Sequence, residues 1–129
     1  MKVPLFTDLD LKFLANPLTG DCGLLRDEAA IRRAIMRVVK TRRFDCPYEP
    51  DKAAWIEEFL FEPQSPSTLA SLRDRLTYAL NKMEPRASYT VEVDASTASG
   101  LDGYEVTVHY TVKSIGAAGV IKEFLERVR

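Results

Sequence analysis

At Glu84-Pro85 the hydrophobic spacing of the chain changes from that of a helix to that of a strand. Before this point Leu69, Leu72, Leu76, Ala79, Leu80 and Met83 fall on one stripe of a helix over 67–83. After it, Tyr89, Val91 and Val93 alternate with Thr90, Glu92 and Asp94. A loop containing Ser, Gly and Asp runs through Gly103. Tyr104, Val106, Val108, Tyr110 and Val112 then alternate with Glu105, Thr107, His109, Thr111 and Lys113. Proline disfavours the helical region for the residue before it, so the helix must stop at Glu84. Two alternating runs joined by a loop predict an antiparallel hairpin with one buried and one wet face. The expected architecture is α+β, with helices packed on one face of a small antiparallel sheet built around that hairpin.

The remaining segments fill out this scheme. Residues 27–41 predict a helix, with Ile31, Ala34, Ile35, Val38 and Val39 on one face, Asp27 and Glu28 near its start and Arg37 and Lys40 near its end. A short helix over 51–60, offering Trp55, Ile56, Phe59 and Leu60 for burial, is bounded by Pro47 and Pro50 on one side and Pro63 and Pro66 on the other. Ser65 or Ser67 can cap the helix that follows, and Pro66 suits a first turn. Val120, Ile121, Phe124, Leu125 and Val128 predict a C-terminal helix over 117–128. Residues 1–25 lack a sustained period and carry the turn chemistry of Asn16-Pro17 and Thr19-Gly20-Asp21, so they read as an arm or short helix over the core. Two strands alone are marginal, and a third must come from this arm, from the tail or from another molecule. The 129 residues, without repeats or a linker, suit one domain over 1–129.

Composition narrows the function. Lys and Arg number 18 against 19 Asp and Glu, a balance that argues against a general nucleic-acid binder. No apolar run approaches the roughly 20 residues of a membrane span. Asp8, Asp10 and Lys12 interrupt what would be a secretory apolar core. Cys22 and Cys46 show no metal-site spacing, and a reduced, cytosolic setting is the simplest expectation. Phosphate-cradling, zinc-protease and serine-hydrolase motifs are missing. The single histidine, His109, falls on the predicted polar face of a strand and reads as a surface residue. No cofactor, metal or catalytic residue is expected. Among the carboxylates Glu57, Glu58, Glu62, Glu84, Glu92 and Asp94, Glu62 and Glu84 both precede prolines, and a solvated or ion-paired role is the ordinary one for such groups.

The ordered set Thr41-Arg42, Pro47-Tyr48-Glu49-Pro50, Phe61-Glu62-Pro63, Ser65-Pro66 and Glu84-Pro85-Arg86, followed by two alternating strands, resembles the baseplate wedge proteins of contractile-tailed phages. These sheath-initiator-like proteins recur in type VI secretion and tailocin baseplates and are sometimes labelled lysozyme-like. The resemblance covers about residues 26–113. It departs at Lys52-Ala53, where the family usually has an aromatic-Gly pair. It implies a structural, non-enzymatic subunit of a virion tail baseplate, assembled in the host cytoplasm and present in several copies, six by analogy. Its partners would be other wedge proteins and the sheath, with the tube as a further candidate, and neither nucleic acid nor membrane. It implies wedge docking through Glu84, Pro85, Arg86, Phe61 and Glu62, and sheath strand exchange along Tyr104, Val106, Val108, Tyr110 and Val112, where an exposed edge would invite a further strand. A second expectation, from another class, is a peptidoglycan hydrolase, which would need a glutamic acid in a sugar-sized groove with a second carboxylate nearby. A third is a small regulatory or adaptor domain.

Overall fold

A computed structural model describes residues 3–98 and 100–127. Met1 and Lys2 of the expected arm and Val128 of the expected C-terminal helix lie outside the described residues. The elements run β1 (Thr7–Leu9), β2 (Leu24–Arg26), α1 (Glu28–Lys40), a 3-10 turn (Pro50–Lys52), α2 (Ile56–Leu60), α3 (Pro66–Met83), β3 (Ala87–Ala98), β4 (Leu101–Val112) and β5 (Ala118–Glu126). The α+β architecture expected from the spacing is the one observed, with an arm of two short strands and a three-stranded antiparallel sheet.

α3 begins as its sequence requires. The Ser65 hydroxyl accepts from the Thr68 N–H at 3.2 Å and Pro66 occupies the first turn. It stops at Glu84, whose N–H still reaches the Leu80 carbonyl. Its buried stripe of Leu72, Leu76, Ala79 and Leu80 meets Ile31, Ile35, Val38 and Val39 of α1 and the inner face of the sheet. That inner face is the apolar set of the second alternation: Tyr104, Val106, Val108, Tyr110 and Val112 are all 2% exposed or less. The Tyr110 hydroxyl reaches Glu28 of α1 at 3.1 Å, tying helix to sheet.

Three expectations are corrected. The expected C-terminal helix is a strand, β5, paired antiparallel to β4 from Gly103↔Glu126 to Thr111↔Ala118. Its apolar residues fit a helical stripe over so short a window, but two glycine contacts decide for the strand. A Cβ on Gly119 would lie 2.6 Å from Tyr110 Cζ, and one on Gly103 would lie 2.6 Å from Phe124 Cζ. Each glycine makes room for an aromatic ring from the neighbouring strand, which closes the sheet. The tail therefore supplies the third strand. The loop expected through Gly103 is also shorter, since pairing continues from Ala95↔Tyr104 to Ala98↔Leu101, with Gly100 at φ 80° in the turn.

The helix expected over 51–60 is divided, because Trp55 adopts a left-handed backbone at φ 54°. The guanidinium groups of Arg43 and Arg75 lie over its indole ring, at 4.3 and 3.9 Å from the ring centre, and its N–H donates to the Pro50 carbonyl at 3.0 Å. These contacts hold a backbone conformation that a non-glycine residue adopts at a cost of about 1–3 kcal/mol.

Gly103→Ala should lower stability by about 2 kcal/mol, because the added methyl displaces the Phe124 ring and the Leu125 carbonyl. Gly23→Ala, whose methyl meets only ordinary contacts from 3.5 Å outward, should stay within about 0.5 kcal/mol of the parent. Urea denaturation of the two variants checks the contrast.

Candidate functional site

The turn from α3 into β3 is a closed polar cluster. Arg86 Nε and a terminal guanidinium nitrogen donate to the two oxygens of Glu84, at 2.5 and 2.7 Å. This bidentate pair spans Pro85, whose ring fixes the backbone between the partners. The Glu84 side chain is 6% exposed and that of Arg86 36%, so the acid is buried and the base reaches the surface. The Tyr89 hydroxyl donates to the Glu84 carbonyl at 2.5 Å, and the Arg86 carbonyl accepts from the Lys113 N–H at 3.1 Å. The Arg86 guanidinium lies 4.9 Å from the centre of the Phe6 ring, which comes from the arm. Phe6, Tyr89 and Lys113 were not legible as part of this site, since nothing in their spacing points to Glu84.

Electrostatics follow from this geometry. The hydrogen bonds that Arg86 donates to Glu84 raise the Arg86 pKa, with burial opposing them. Burial raises the Tyr89 hydroxyl well above the ordinary tyrosine range, and the nearby Glu84 adds to the shift. Burial also raises Tyr104 and Tyr110.

Phe61 and Glu62 do not join this cluster. They precede α3, whereas Glu84 to Arg86 follow it, and a helix of 18 residues separates its ends by about 27 Å. Gln64, just beyond them, donates to the Gly103 carbonyl at 3.0 Å, at the opposite end of β4 from Val112. Glu62 lies close enough to Tyr104 to raise its pKa. Phe61 is 65% exposed. The five expected docking residues thus form two sites, one at each end of α3. Near the second lies an open cleft of about 600 Å³, lined by the acids Glu57, Asp102 and Glu126 and the bases Arg42 and Arg127. Glu57 there pairs with Arg42 at 2.9 Å.

The strand expected to offer an edge does not offer one. β4 lies at the centre of the order β3-β4-β5 and is paired on both sides, so Tyr104 to Val112 have no free backbone face, and the side chains of Tyr104, Val106, Val108, Tyr110 and Val112 fill the core. The tail occupies the edge that the sequence left open. The outer edges of β3 and β5 are unpaired by any strand among the described residues, and neither contains proline. His109 is exposed on the outer face, 3.7 Å from Glu92.

No family model and no curated protein sequence matches the chain. Solved structures do. A chain of the anti-feeding prophage baseplate, determined by cryo-electron microscopy with six-fold symmetry applied, superposes with a TM-score of 0.63 at 14% identity, over 96% of this chain and 87% of that one. The fold is shared with a baseplate component. A candidate tail lysozyme from Geobacter sulfurreducens, known from a crystal structure, superposes with a TM-score of 0.68 at 20% identity, over 77% of this chain and 89% of that one.

Because the buried tyrosines hold their protons more tightly in the folded state than the ordinary pKa of about 10, stability is fully present below that pH. It falls as pH rises above about 10, where only the unfolded chain readily releases these protons. Thermal melts from pH 8 to pH 11 should show this loss, and Tyr89→Phe should show a shallower one. Arg86→Ala leaves the Glu84 carboxylate buried without its partner and should cost about 2 kcal/mol in the same melts at neutral pH.

Proposed function

We propose that the chain is a structural subunit of a contractile-tail baseplate, docking onto larger wedge proteins and giving the sheath a place to attach. The observation that carries this reading is the likeness to a baseplate chain over 96% of this sequence, the arm and tail included in that length. The ordered Phe61-Glu62 and Glu84-Pro85-Arg86 motifs, which resemble those of wedge proteins, agree with it.

In this reading Arg86 has two roles. One edge of its guanidinium neutralises Glu84, and its exposed remainder offers donors to a carboxylate or a free carbonyl on a neighbouring subunit. Phe61 supplies an exposed aromatic anchor at the far end of α3. Strand addition by the sheath takes place at an outer edge of the sheet. The edges of β3, with 12 residues, and of β5, with 9, are long enough to template an extended segment.

Phe61→Ala separates assembly from stability. The side chain is mostly in solvent, so the isolated variant should melt within about 2 °C of the parent. Particles produced with it and viewed by electron microscopy should lack complete baseplates or sheathed tails. Normal particles would remove Phe61 from the docking surface. Arg86→Lys keeps a positive charge beside Glu84 and loses the planar fork, and should impair assembly more than its melt accounts for.

A hydrolase reading has one feature in its favour, the cleft carrying Glu57, Asp102 and Glu126. The structural reading expects no soluble fragments from purified peptidoglycan incubated with the protein. Release of muropeptides, abolished by Glu126→Gln, would replace it.

A further inference from the structure

The N-terminal arm presents its apolar residues outward. β1 and β2 pair as Thr7↔Arg26, Asp8↔Leu25 and Leu9↔Leu24, and the ladder resumes at Ala15↔Cys22. Between Asp10 and Ala15 the chain bulges away, with Phe13 at φ 50°. Phe6 turns inward onto the core and the Arg86 guanidinium. Leu9, Leu24, Leu11, Phe13 and Leu14 are each about half exposed or more, from 49% for Leu11 to 69% for Leu14. A contiguous exposed apolar area of several hundred Å² marks an interaction site more often than plain surface.

The arm is held in place. The Asp27 carboxylate accepts from the Leu5 and Phe6 N–H groups at 2.8 and 3.2 Å, and the Asp27 N–H donates to the Phe6 carbonyl at 2.8 Å. Asp27 therefore anchors the arm rather than capping α1.

Where the bulge meets α1 there is a cleft of about 370 Å³, lined by Leu11, Met36, Arg33, Arg37 and Lys40. Leu11 and Met36 supply its apolar lining and the three bases its charge. Lys40 is paired with Glu123 at 3.0 Å. Lys12 adds a further positive charge in the bulge. The volume is suited to one or two large side chains.

We infer that the cleft between the arm bulge and α1 docks a segment of another protein that presents an apolar side chain flanked by acidic residues. The apolar lining would take the side chain, and Arg33 and Arg37 would pair with the flanking carboxylates. A second copy of the chain is the less suited occupant. Of its exposed aromatics beside acids, Phe61 follows Glu57 and Glu58, which already pair with Arg42 and Arg43, Tyr48 precedes Glu49, which pairs with Lys52, and Phe44 precedes Asp45, which accepts from the Arg42 N–H. This inference stands on the cleft and its charges and does not depend on the baseplate reading.

The full chain is titrated, by fluorescence anisotropy, into a short fluorescein-labelled peptide of alternating Leu and Glu, and into its Leu-Lys counterpart. The expected result is that the Glu peptide binds at least about tenfold more tightly, that added salt weakens it, and that Arg37→Glu or Leu11→Ser weakens it about tenfold. Both substitutions lie at exposed positions, and an unchanged melt shows that the fold is kept. Equal binding of the two peptides, or undiminished binding to Arg37→Glu, overturns the proposal. Concentration-dependent self-association that Arg37→Glu abolishes assigns the cleft to a second copy and overturns the stated partner. Co-sedimentation with phosphatidylserine vesicles, lost in the same variant, assigns it to a membrane and does the same.

Discussion

The structure depends on a central strand whose backbone is satisfied from both sides. β4 pairs with β3 over 12 positions and with β5 over 9, so its polar backbone groups can be buried while alternate side chains face the helices. Two tyrosines and three valines from this one strand form the floor on which α1 and α3 rest. Large aromatic rings fit against the closely spaced strands because a glycine lies opposite one of them and diagonal to the other. Tyr110 lies over Gly119, and Phe124 lies over Gly103. Pairing and packing are thus one constraint, since a side chain at either glycine would push β5 away from β4.

The join between α3 and β3 is the second point on which the arrangement turns. A helix that ends against a sheet leaves carbonyls without partners, and here the Tyr89 hydroxyl satisfies one of them at Glu84. The same residue carries a buried carboxylate, which Arg86 neutralises across the intervening proline. Arg86 then touches the arm through Phe6. One arginine therefore connects helix end, first strand and N-terminal hairpin, and any partner that engages its exposed side also senses how the arm is seated.

The periodicity made the fold class, α1, α3 and the inward set of β4 legible, because long amphipathic segments carry a signal that survives tertiary context. Pro85 marked the end of α3 for a local steric reason. The tail misled because Val120, Ile121, Phe124 and Leu125 satisfy both periods within a short window, and only the cross-strand fit of two glycines separates them. That error carried over to the candidate site. Without the tail strand, Tyr104 to Val112 read as an edge, and with it they are the middle of the sheet. The Glu84-Arg86 proximity was legible from adjacency in the chain. The separation of Phe61 and Glu62 from it followed from α3's own length, which the motif order concealed. The short helix before α3 broke at Trp55 because stacking against two distant arginines outweighed local helix geometry.

That stacked indole has a spectroscopic consequence. Trp55 is the one tryptophan in the chain, so intrinsic emission excited at its red edge arises from a single, known place. With two guanidinium groups over its ring and its N–H tied to Pro50, the indole sits in a fixed electric field and not in bulk solvent. Its emission is a native optical reporter of the connection between α1 and α3. A change there can be followed without a label and set against far-ultraviolet dichroism, which reports the backbone as a whole.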